Sequence, residues 1–191
     1  MVVEPIIKEK SKKESWSELA RFAVIALVIV VPIRAFIAQP FQVSGSSMVP
    51  TFEDRNYLII DEISYKLGNP KRDDVVVFRF PGDPKKFYIK RIIGLPNETV
   101  DVNGVVVTII NKEHPEGFKL NQSYVQNQSQ TINHFELKDD EYFVMGDNRS
   151  ASSDSRSWGA VPKKLLIGRA FLRLLPISQI GIFPGQYKQT K

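Results

Sequence analysis

The chain has 191 residues, of which 42% are hydrophobic and 25% charged, and this predicts one folded domain plus a short appendage and excludes wholesale disorder. The absence of cysteine excludes disulfides, thiolate nucleophiles and cysteine-ligated metals, while His114 and His134 alone cannot build a three-histidine zinc site. The net charge of +5 is mild and forms no basic stripe, so we predict no nucleic-acid partner, no metal and no cofactor.

The first 38 residues divide into a charged stretch and an apolar one. Residues 1–18 are charged and lack an apolar period, which predicts a disordered tail. Residues 19–38 are apolar apart from a few positions, among them Arg21 and Arg34. A helix of this length is about 30 Å long, the thickness of one hydrocarbon core. We therefore predict a transmembrane helix over residues 19–38.

The residues that flank this segment predict its orientation and its retention. The basic run from Lys8 to Lys13 predicts a cytoplasmic amino terminus and places residues 39–191 on the other side of the membrane. A cleavable secretory signal is the alternative. Arg34 interrupts the segment before any cleavage site, and Phe36 breaks the small-x-small rule at Ala38, so a retained anchor is favoured.

Residues 39–191 consist of short β-branched runs separated by turn residues, without a long, capped helical period. The predicted fold class is mostly β, an antiparallel sheet domain behind one N-terminal transmembrane helix. Asn103-Gly104 between valine-rich arms predicts a tight hairpin. Residues 111–140, rich in Asn, Gln, Ser, Lys and Glu, predict a surface excursion. The predicted strands are residues 57–61, 74–80, 87–95, 99–110 (the hairpin), 141–145 and 165–175.

Three stretches combine residue types that make chemical sense together. SGSSMVPT at residues 44–51 predicts an irregular turn, and taken alone it is an ordinary loop. YIKRIIG at residues 88–94 is an apolar strand whose alternation sends Lys90 and Arg91 in opposite directions. MGDNRSASSDSR at residues 145–156 carries acids, bases and hydroxyls suited to pairing across a buried site. A solvated connection is the simpler interpretation of this third stretch.

The environment of Lys90 decides whether these stretches carry chemistry. A lone lysine in a strand usually extends its ammonium group into solvent. If Lys90 is buried instead, desolvation lowers its pKa from about 10.4, and a drop of about three units costs about 4 kcal/mol. A well-packed domain can sustain that cost. A neutral amine beside a serine hydroxyl is a general base.

Taken together and in this order, the stretches resemble the type I signal peptidase (leader peptidase) family. The matching residues are Ser-Met-x-Pro-Thr after an apolar segment, Lys-Arg-Ile-Ile-Gly on a strand, and Gly-Asp-Asn-Arg-x-x-Ser-x-Asp-Ser-Arg near the carboxyl end. The resemblance implies a serine endopeptidase, without metal or cofactor, that removes signal peptides from exported preproteins. It implies a location in the lipid bilayer of a bacterial plasma membrane or a related organellar or thylakoid membrane.

The resemblance also implies the two residues of a catalytic dyad. Ser47, the serine before the methionine, corresponds to the nucleophile, and Lys90 corresponds to the base. The spacing to Met48 and Pro50 favours Ser47 over the adjacent serine. The implied oxyanion donor is the backbone N–H of Ser47. Gly45 stands where some members carry a serine hydroxyl, which leaves the second donor open.

Further residues would support the dyad or bind the substrate. The supporting residues that the resemblance implies are Ser152, which orients the lysine, and the ion pairs Asp154–Arg156 and Asp147–Arg91. Apolar residues near the nucleophile predict shallow pockets, which by the resemblance accept small side chains one and three residues before the cut. These residues are Phe41, Val43, Met48, Tyr88 and Ile89. An extended substrate would pair with a strand edge.

Other classes of protein fit the sequence less well. A Ser-His-Asp hydrolase needs a histidine near the motifs and a Gly-x-Ser-x-Gly elbow, and the sequence has neither. The β-lactamase type needs Ser-x-x-Lys, which is also absent. Self-cleaving repressors use serine and lysine but require a DNA-binding module. A membrane-tethered β domain that only binds partners is the remaining alternative, and acylation of Ser47 would distinguish an enzyme from a binder.

Overall fold

The computed structural model describes residues 12–32 and 38–187, and the chain divides into two compact units, residues 1–37 and 38–191. The first unit contains one helix, α1 (Lys12–Pro32). Nowhere in the two described ranges is a helix both long and apolar enough to cross a membrane.

Helix α1 begins earlier than the predicted span of residues 19–38 and is described as far as Pro32. Residues 12–18, predicted as disordered tail, belong to α1, and the lysines and glutamates of this stretch favour helix. The helix is described to Pro32, and a strand begins at Ala38, which is the last residue of the predicted span. Residues 1–11 of the predicted tail and residues 33–37 of the predicted span lie outside the described residues.

The second unit is mostly β, as predicted, and its strands pair antiparallel. Short 3₁₀ turns lie at Arg149–Ala151, Lys163–Leu165 and Ile177–Gln179. Its elements are, in chain order, β1 (Ala38–Gln42), β2 (Tyr57–Asp61), α2 (Ile63–Leu67), β3 (Val75–Phe80), β4 (Asp83–Gly94), β5 (Thr99–Asn103), β6 (Val106–Ile110), β7 (Phe118–Lys119), β8 (Ile132–Glu136), β9 (Glu141–Met145), α3 (Ser155–Trp158), β10 (Val161–Pro162), β11 (Leu166–Leu175) and β12 (Gly181–Ile182).

The larger sheet has eight strands in the order β1-β2-β11-β3-β4-β9-β10, with β12 paired to β11. The predicted strands are present as β2, β3, β4, β9 and β11, and β4 begins earlier than predicted, at Asp83. Strand β1 was not predicted because it contains Pro40 and two glutamines among its five residues. Proline is tolerated there since β1 lies at the edge of the sheet.

The smaller sheet has four strands in the order β7-β6-β5-β8. The predicted hairpin joins β5 and β6, and Gly104 takes the positive φ of +59° that a tight turn requires. Residues 111–140 are more ordered than a surface excursion, because they supply β7 and β8 to this sheet. They also bury Leu120 and Leu137 in its core, which an Asn- and Gln-rich composition conceals.

The hydrophobic core places the sequence motifs at the larger sheet. Strand β4 lies between β3 and β9, and its second half is buried. The turn between β1 and β2 sends Met48 and Phe52 into a cluster with Leu58 and Ile60 of β2. Burial of these four side chains fixes the turn that carries Ser47 against the sheet that carries Lys90.

Candidate active site

Ser47 lies in the turn between β1 and β2. Contacts of the residues before and after Ser47 hold this turn in place. The Met48 carbonyl accepts a hydrogen bond from the Phe52 N–H at 2.9 Å, and both side chains are buried. Gly45 has φ of +92°, a conformation that residues with a Cβ rarely adopt. Its N–H donates to Asp54 Oδ1 at 2.9 Å. The backbone around Ser47 is therefore fixed by packing and by turn geometry.

Strand β4 brings Lys90 to the serine. Lys90 lies 43 residues from Ser47 in the chain, yet its Nζ is 2.6 Å from the Ser47 Oγ. The Nζ also lies 3.0 Å from the carbonyl oxygen of Ile89. Only 4% of Lys90 is exposed. The amine is thus removed from bulk water and in hydrogen-bond contact with one hydroxyl.

Burial changes the acid–base chemistry of Lys90. Desolvation lowers the pKa of Lys90 from 10.5 to about 8, because a charged ammonium is disfavoured away from water. The carboxylates of Asp154 and Asp147 oppose this effect and raise the pKa. A substantial fraction of Lys90 is therefore neutral at mildly alkaline pH. In that form its lone pair can accept the Ser47 proton.

Arg91, the next residue of β4, forms the ion pair with Asp147 that the resemblance implied. Arg91 Nε and Nη2 donate to the two carboxylate oxygens of Asp147 at 2.8 and 2.6 Å, and both residues are fully buried. Arg91 Nη1 donates to the carbonyls of Asp73 and Gly185. Thr51, from the end of the Ser47 turn, donates its hydroxyl to Asp147. One buried ion pair thus joins β4 to the Ser47 turn and to the C-terminal segment.

Asp154 and Arg156 form the second predicted ion pair. Arg156 Nε and Nη2 donate to Asp154 Oδ1 and Oδ2 at 2.7 and 2.8 Å. Asp154 also accepts the N–H of Gly146 at 3.0 Å, and Arg156 donates to the Arg149 carbonyl. The pair therefore closes the loop of residues 146–156 on itself.

Gly146 and Asn148 connect this loop to the Ser47 turn, and the sequence had not singled out either for that role. A Cβ on Gly146 would meet Ser152 Oγ and the Ser47 carbonyl more closely than real Cβ atoms come. The Asn148 N–H donates to the Ser47 carbonyl at 3.0 Å, and Asn148 Nδ2 donates to the Ser46 carbonyl at 3.1 Å. Both residues belong to the Gly-Asp-Asn-Arg motif that carried the resemblance, but the motif does not show which main-chain groups they contact.

Ser152 does not make the hydrogen bond to Lys90 that the resemblance implied. Its Oγ is buried and has no hydrogen-bond partner among the described residues. The serine instead packs beside Gly146 and the main chain of Ser47. Among the described residues, the hydrogen bonds of Lys90 Nζ go instead to the Ser47 hydroxyl and the Ile89 carbonyl.

A cavity of about 380 Å³ opens beside the dyad. Four of the five predicted substrate-binding residues line it, namely Phe41, Val43, Tyr88 and Ile89. The fifth, Met48, does not, because its side chain is buried in the core. Sequence reasoning missed Gln42, Ser44, Leu58, Val77, Phe87 and Ser153, which complete the lining.

One backbone donor beside the nucleophile is free to bind an oxyanion. Among the described residues, the Ser47 N–H donates no hydrogen bond. The N–H of Gly45, by contrast, is engaged by Asp54. Gly45 therefore supplies neither a hydroxyl nor a free amide, and the Ser47 N–H is the donor that this geometry offers to a developing negative charge.

The chain is similar in sequence to a known protein family and to several of its members. Residues 16–175 match the family described as signal peptidase, peptidase S26. The probable signal peptidase I-2 of Synechocystis sp. is 37% identical over 194 residues, covering 95% of this chain and 86% of that protein. Signal peptidase I of Leptolyngbya laminosa is 36% identical over 166 residues, covering 82% and 78%. A solved signal peptidase I from Enterococcus faecalis aligns with 53% of this chain and 96% of its own, at TM-score 0.43 and 28% identity.

Proposed function

Because this chain belongs to the signal peptidase, peptidase S26, family, we propose that it removes signal peptides from exported preproteins with Ser47 as nucleophile and Lys90 as general base. The chain is a hydrolase of the serine protease class. The observation that carries the dyad is the distance of 2.6 Å between Ser47 Oγ and the buried Lys90 Nζ.

The reaction follows from that contact. Neutral Lys90 accepts the hydroxyl proton as Ser47 Oγ bonds to the scissile carbonyl carbon. The tetrahedral intermediate carries its negative charge on the former carbonyl oxygen, within reach of the Ser47 N–H. The amide C–N bond then breaks, and the Lys90 ammonium gives its proton to the leaving amine. Water next attacks the ester carbonyl carbon while Lys90 takes a proton from that water. The bond between the acyl carbon and Ser47 Oγ then breaks, Lys90 returns the proton to Ser47 Oγ, and the acyl product leaves as a carboxylic acid.

The two buried ion pairs support this chemistry without taking part in it. Asp147 and Arg91 hold β4 against the Ser47 turn, while Asp154 and Arg156 hold the loop that approaches the turn. Their carboxylates also raise the pKa of Lys90 against the larger effect of burial. Preorganisation of this kind keeps the nucleophile and the base within hydrogen-bond distance.

The cavity and the edge of the sheet account for the class of substrate. Among the described strands, β1 pairs only with β2, and its Phe41 and Gln42 border the cavity. An extended preprotein segment would add to the free edge of β1 and gain main-chain hydrogen bonds. Its small side chains would enter the cavity beside Tyr88 and Ile89.

Cleavage of a preprotein by the purified chain tests the dyad. Ser47→Ala and Lys90→Met should each abolish cleavage, while the exposed controls Ser178→Ala and Lys85→Met should cleave at the wild-type rate. Amino-terminal sequencing of the product locates the cut. A serine-directed acylating inhibitor should modify Ser47 and not Ser46, as peptide mapping will show. Full cleavage by either dyad variant contradicts the assignment.

A membrane anchor in the first unit is a second part of the proposal. It rests on the sequence, in which residues 22–31 are uniformly apolar and basic residues precede them. With this anchor in the bilayer, the amino terminus is cytoplasmic and the catalytic unit extracytoplasmic. Alkaline extraction of membranes should leave the chain in the pellet. Protease added outside spheroplasts should digest residues 38–191, and release of the intact chain by alkali contradicts the anchor.

The histidines argue against a Ser-His-Asp mechanism. His134 bonds Asp101 between β8 and β5, and His114 lies beside Glu116 after β6. Both pairs belong to the region of the smaller sheet, and neither histidine bonds Ser47. The dyad with Lys90 is therefore the arrangement that the site supports.

A further inference from the structure

The Asn148 side chain contacts the peptide unit whose N–H belongs to the nucleophile. Asn148 Nδ2 donates to the Ser46 carbonyl at 3.1 Å, although the two residues are 102 positions apart in the chain. Asn148 is buried, with 7% of its surface exposed. Water therefore competes little for this hydrogen bond.

The geometry of a peptide unit converts that contact into an orientation of the Ser47 N–H. The cis peptide bonds in the described chain precede Pro50 and Pro176, so the bond between Ser46 and Ser47 is trans. In a planar trans peptide the carbonyl and the N–H point in opposite directions. The Ser46 oxygen also accepts the Val49 N–H at 3.2 Å, a bond within the turn itself. Asn148 Nδ2 is the second donor and reaches this oxygen from outside the turn, so the two donors together fix where the Ser47 N–H points on the other side of the peptide unit.

We propose that Asn148 is a positioning residue that aims the Ser47 N–H at the oxyanion of the reaction. The inference rests on the proposed function and deepens it, because it assigns a role to a side chain that touches neither substrate nor dyad. Asn148 acts through the peptide unit between Ser46 and Ser47. Its hydrogen bond also polarises that unit, which makes the N–H a better donor.

A neighbouring hydroxyl orients the Asn148 amide so that its Nδ2 group, and not its oxygen, faces the Ser46 carbonyl. Ser150 Oγ lies 3.3 Å from Asn148 Oδ1 and donates to it, which leaves the Nδ2 group toward Ser46. The main-chain N–H of Asn148 separately donates to the Ser47 carbonyl. A change confined to the side chain therefore leaves that main-chain bond and the Ser47–Lys90 contact in place.

Steady-state kinetics of Asn148→Asp and Asn148→Ala test the proposal. Aspartate keeps the size but places an oxygen opposite the Ser46 carbonyl, so the donor is lost. Removing one oxyanion donor lowers kcat by about 100- to 1000-fold. Misdirecting a donor that is still present should lower kcat by about 10- to 100-fold, with little change in KM. Asn127→Asp, an exposed asparagine in residues 111–140, is the matched control and should keep wild-type kinetics.

The pH profile and one further variant separate this role from a general structural one. The pH profile is measured on Asn148→Ala, because a new carboxylate in Asn148→Asp would itself raise the pKa of Lys90. If Asn148 only aims the N–H, the midpoint of the kcat/KM profile of Asn148→Ala stays that of the wild type, since the Lys90 contact is intact. A shifted midpoint in Asn148→Ala, or a rise in KM alone, overturns the proposal, as does an unchanged kcat in Asn148→Asp. Should both Asn148 variants fail to fold, Ser150→Ala decides the matter. Loss of the hydroxyl that orients the amide should lower kcat several-fold, and an unchanged kcat rejects the proposal.

The same assay separates failure of this inference from failure of the proposed function. Wild-type chain and Ser47→Ala are run beside the Asn148 variants. If the wild type shows no cleavage that depends on Ser47, the proposed function itself is wrong. If the wild type cleaves and Asn148→Asp cleaves equally well, only the role of Asn148 is rejected.

Discussion

As the proposed base, Lys90 can accept a proton only in its neutral form, so we expect its protonation to govern the pH dependence of cleavage. Burial lowers its pKa to about 8. Below that pH the ammonium form predominates, and kcat/KM should fall about tenfold for each unit of decreasing pH. We expect a rise through a midpoint near pH 8 and a plateau above it, measured on a peptide substrate. A flat profile between pH 7 and 9 contradicts the assignment of Lys90 as the base.

The same pKa predicts how stability depends on pH. The pKa of Lys90 is about 8 in the folded chain and 10.5 ordinarily, so the unfolded chain binds more protons between these values. Folding then becomes more favourable as pH rises through this range. Lys90→Met lacks this effect. From pH 7 to pH 10 the free energy of unfolding of the wild type should therefore gain about 2 to 3 kcal/mol relative to Lys90→Met, measured by urea denaturation. A difference between the two proteins that stays constant with pH contradicts burial of this amine.

Gly146 allows the loop of residues 146–156 to contact the turn that carries Ser47. Its missing side chain lets the loop of residues 146–156 reach the Ser47 carbonyl. Gly146→Ala should lower the free energy of unfolding by about 1 to 3 kcal/mol, because a buried methyl group forces the loops apart. It should also abolish cleavage. Gly181→Ala is the matched control, since its added methyl would meet one atom 4.0 Å away, and it should change neither property.

The ion pair between Arg91 and Asp147 joins β4 to the Ser47 turn. Asp147→Ala leaves the guanidinium of Arg91 buried without its carboxylate, and breaking such a pair costs about 3 to 5 kcal/mol. Chemical denaturation should show this loss. The exposed pair of Lys86 and Asp83 provides the control, because surface pairs contribute about 0 to 1 kcal/mol. Equal effects of Asp147→Ala and Asp83→Ala contradict a structural role for the buried pair.

The whole molecule divides into a helical unit and a catalytic unit that has its own core. The buried residues of all three hydrophobic clusters belong to the second unit. A chain of residues 38–191 should therefore fold, unfold with an unchanged midpoint and hydrolyse a soluble peptide. It should no longer sediment with membranes or process preproteins embedded in vesicles efficiently. Loss of peptide hydrolysis in the folded, truncated chain contradicts independence of the catalytic unit.

Much of the fold was readable from sequence because β-branched runs and turn residues are local signals. They located β2, β3, β4, β9 and β11 and the hairpin at Gly104. Local signals failed at β1, where Pro40 hides an edge strand. They failed at Leu120 and Leu137 too, because isolated leucines in a polar stretch do not reveal that a sheet covers them.

The sequence by itself determined the mostly β fold of the catalytic unit, the order of the three motifs and the residues that could form a dyad. Only the tertiary structure decided that Lys90 is buried against Ser47 and that Asn148 donates to the Ser46 carbonyl. It also decided that the Ser152 hydroxyl bonds neither Lys90 nor Ser47. These contacts join residues from 43 to 102 positions apart. Their distances depend on which strands are neighbours, and the pKa of an amine depends on how much water its neighbours exclude. Neither quantity is encoded in any local run of residues.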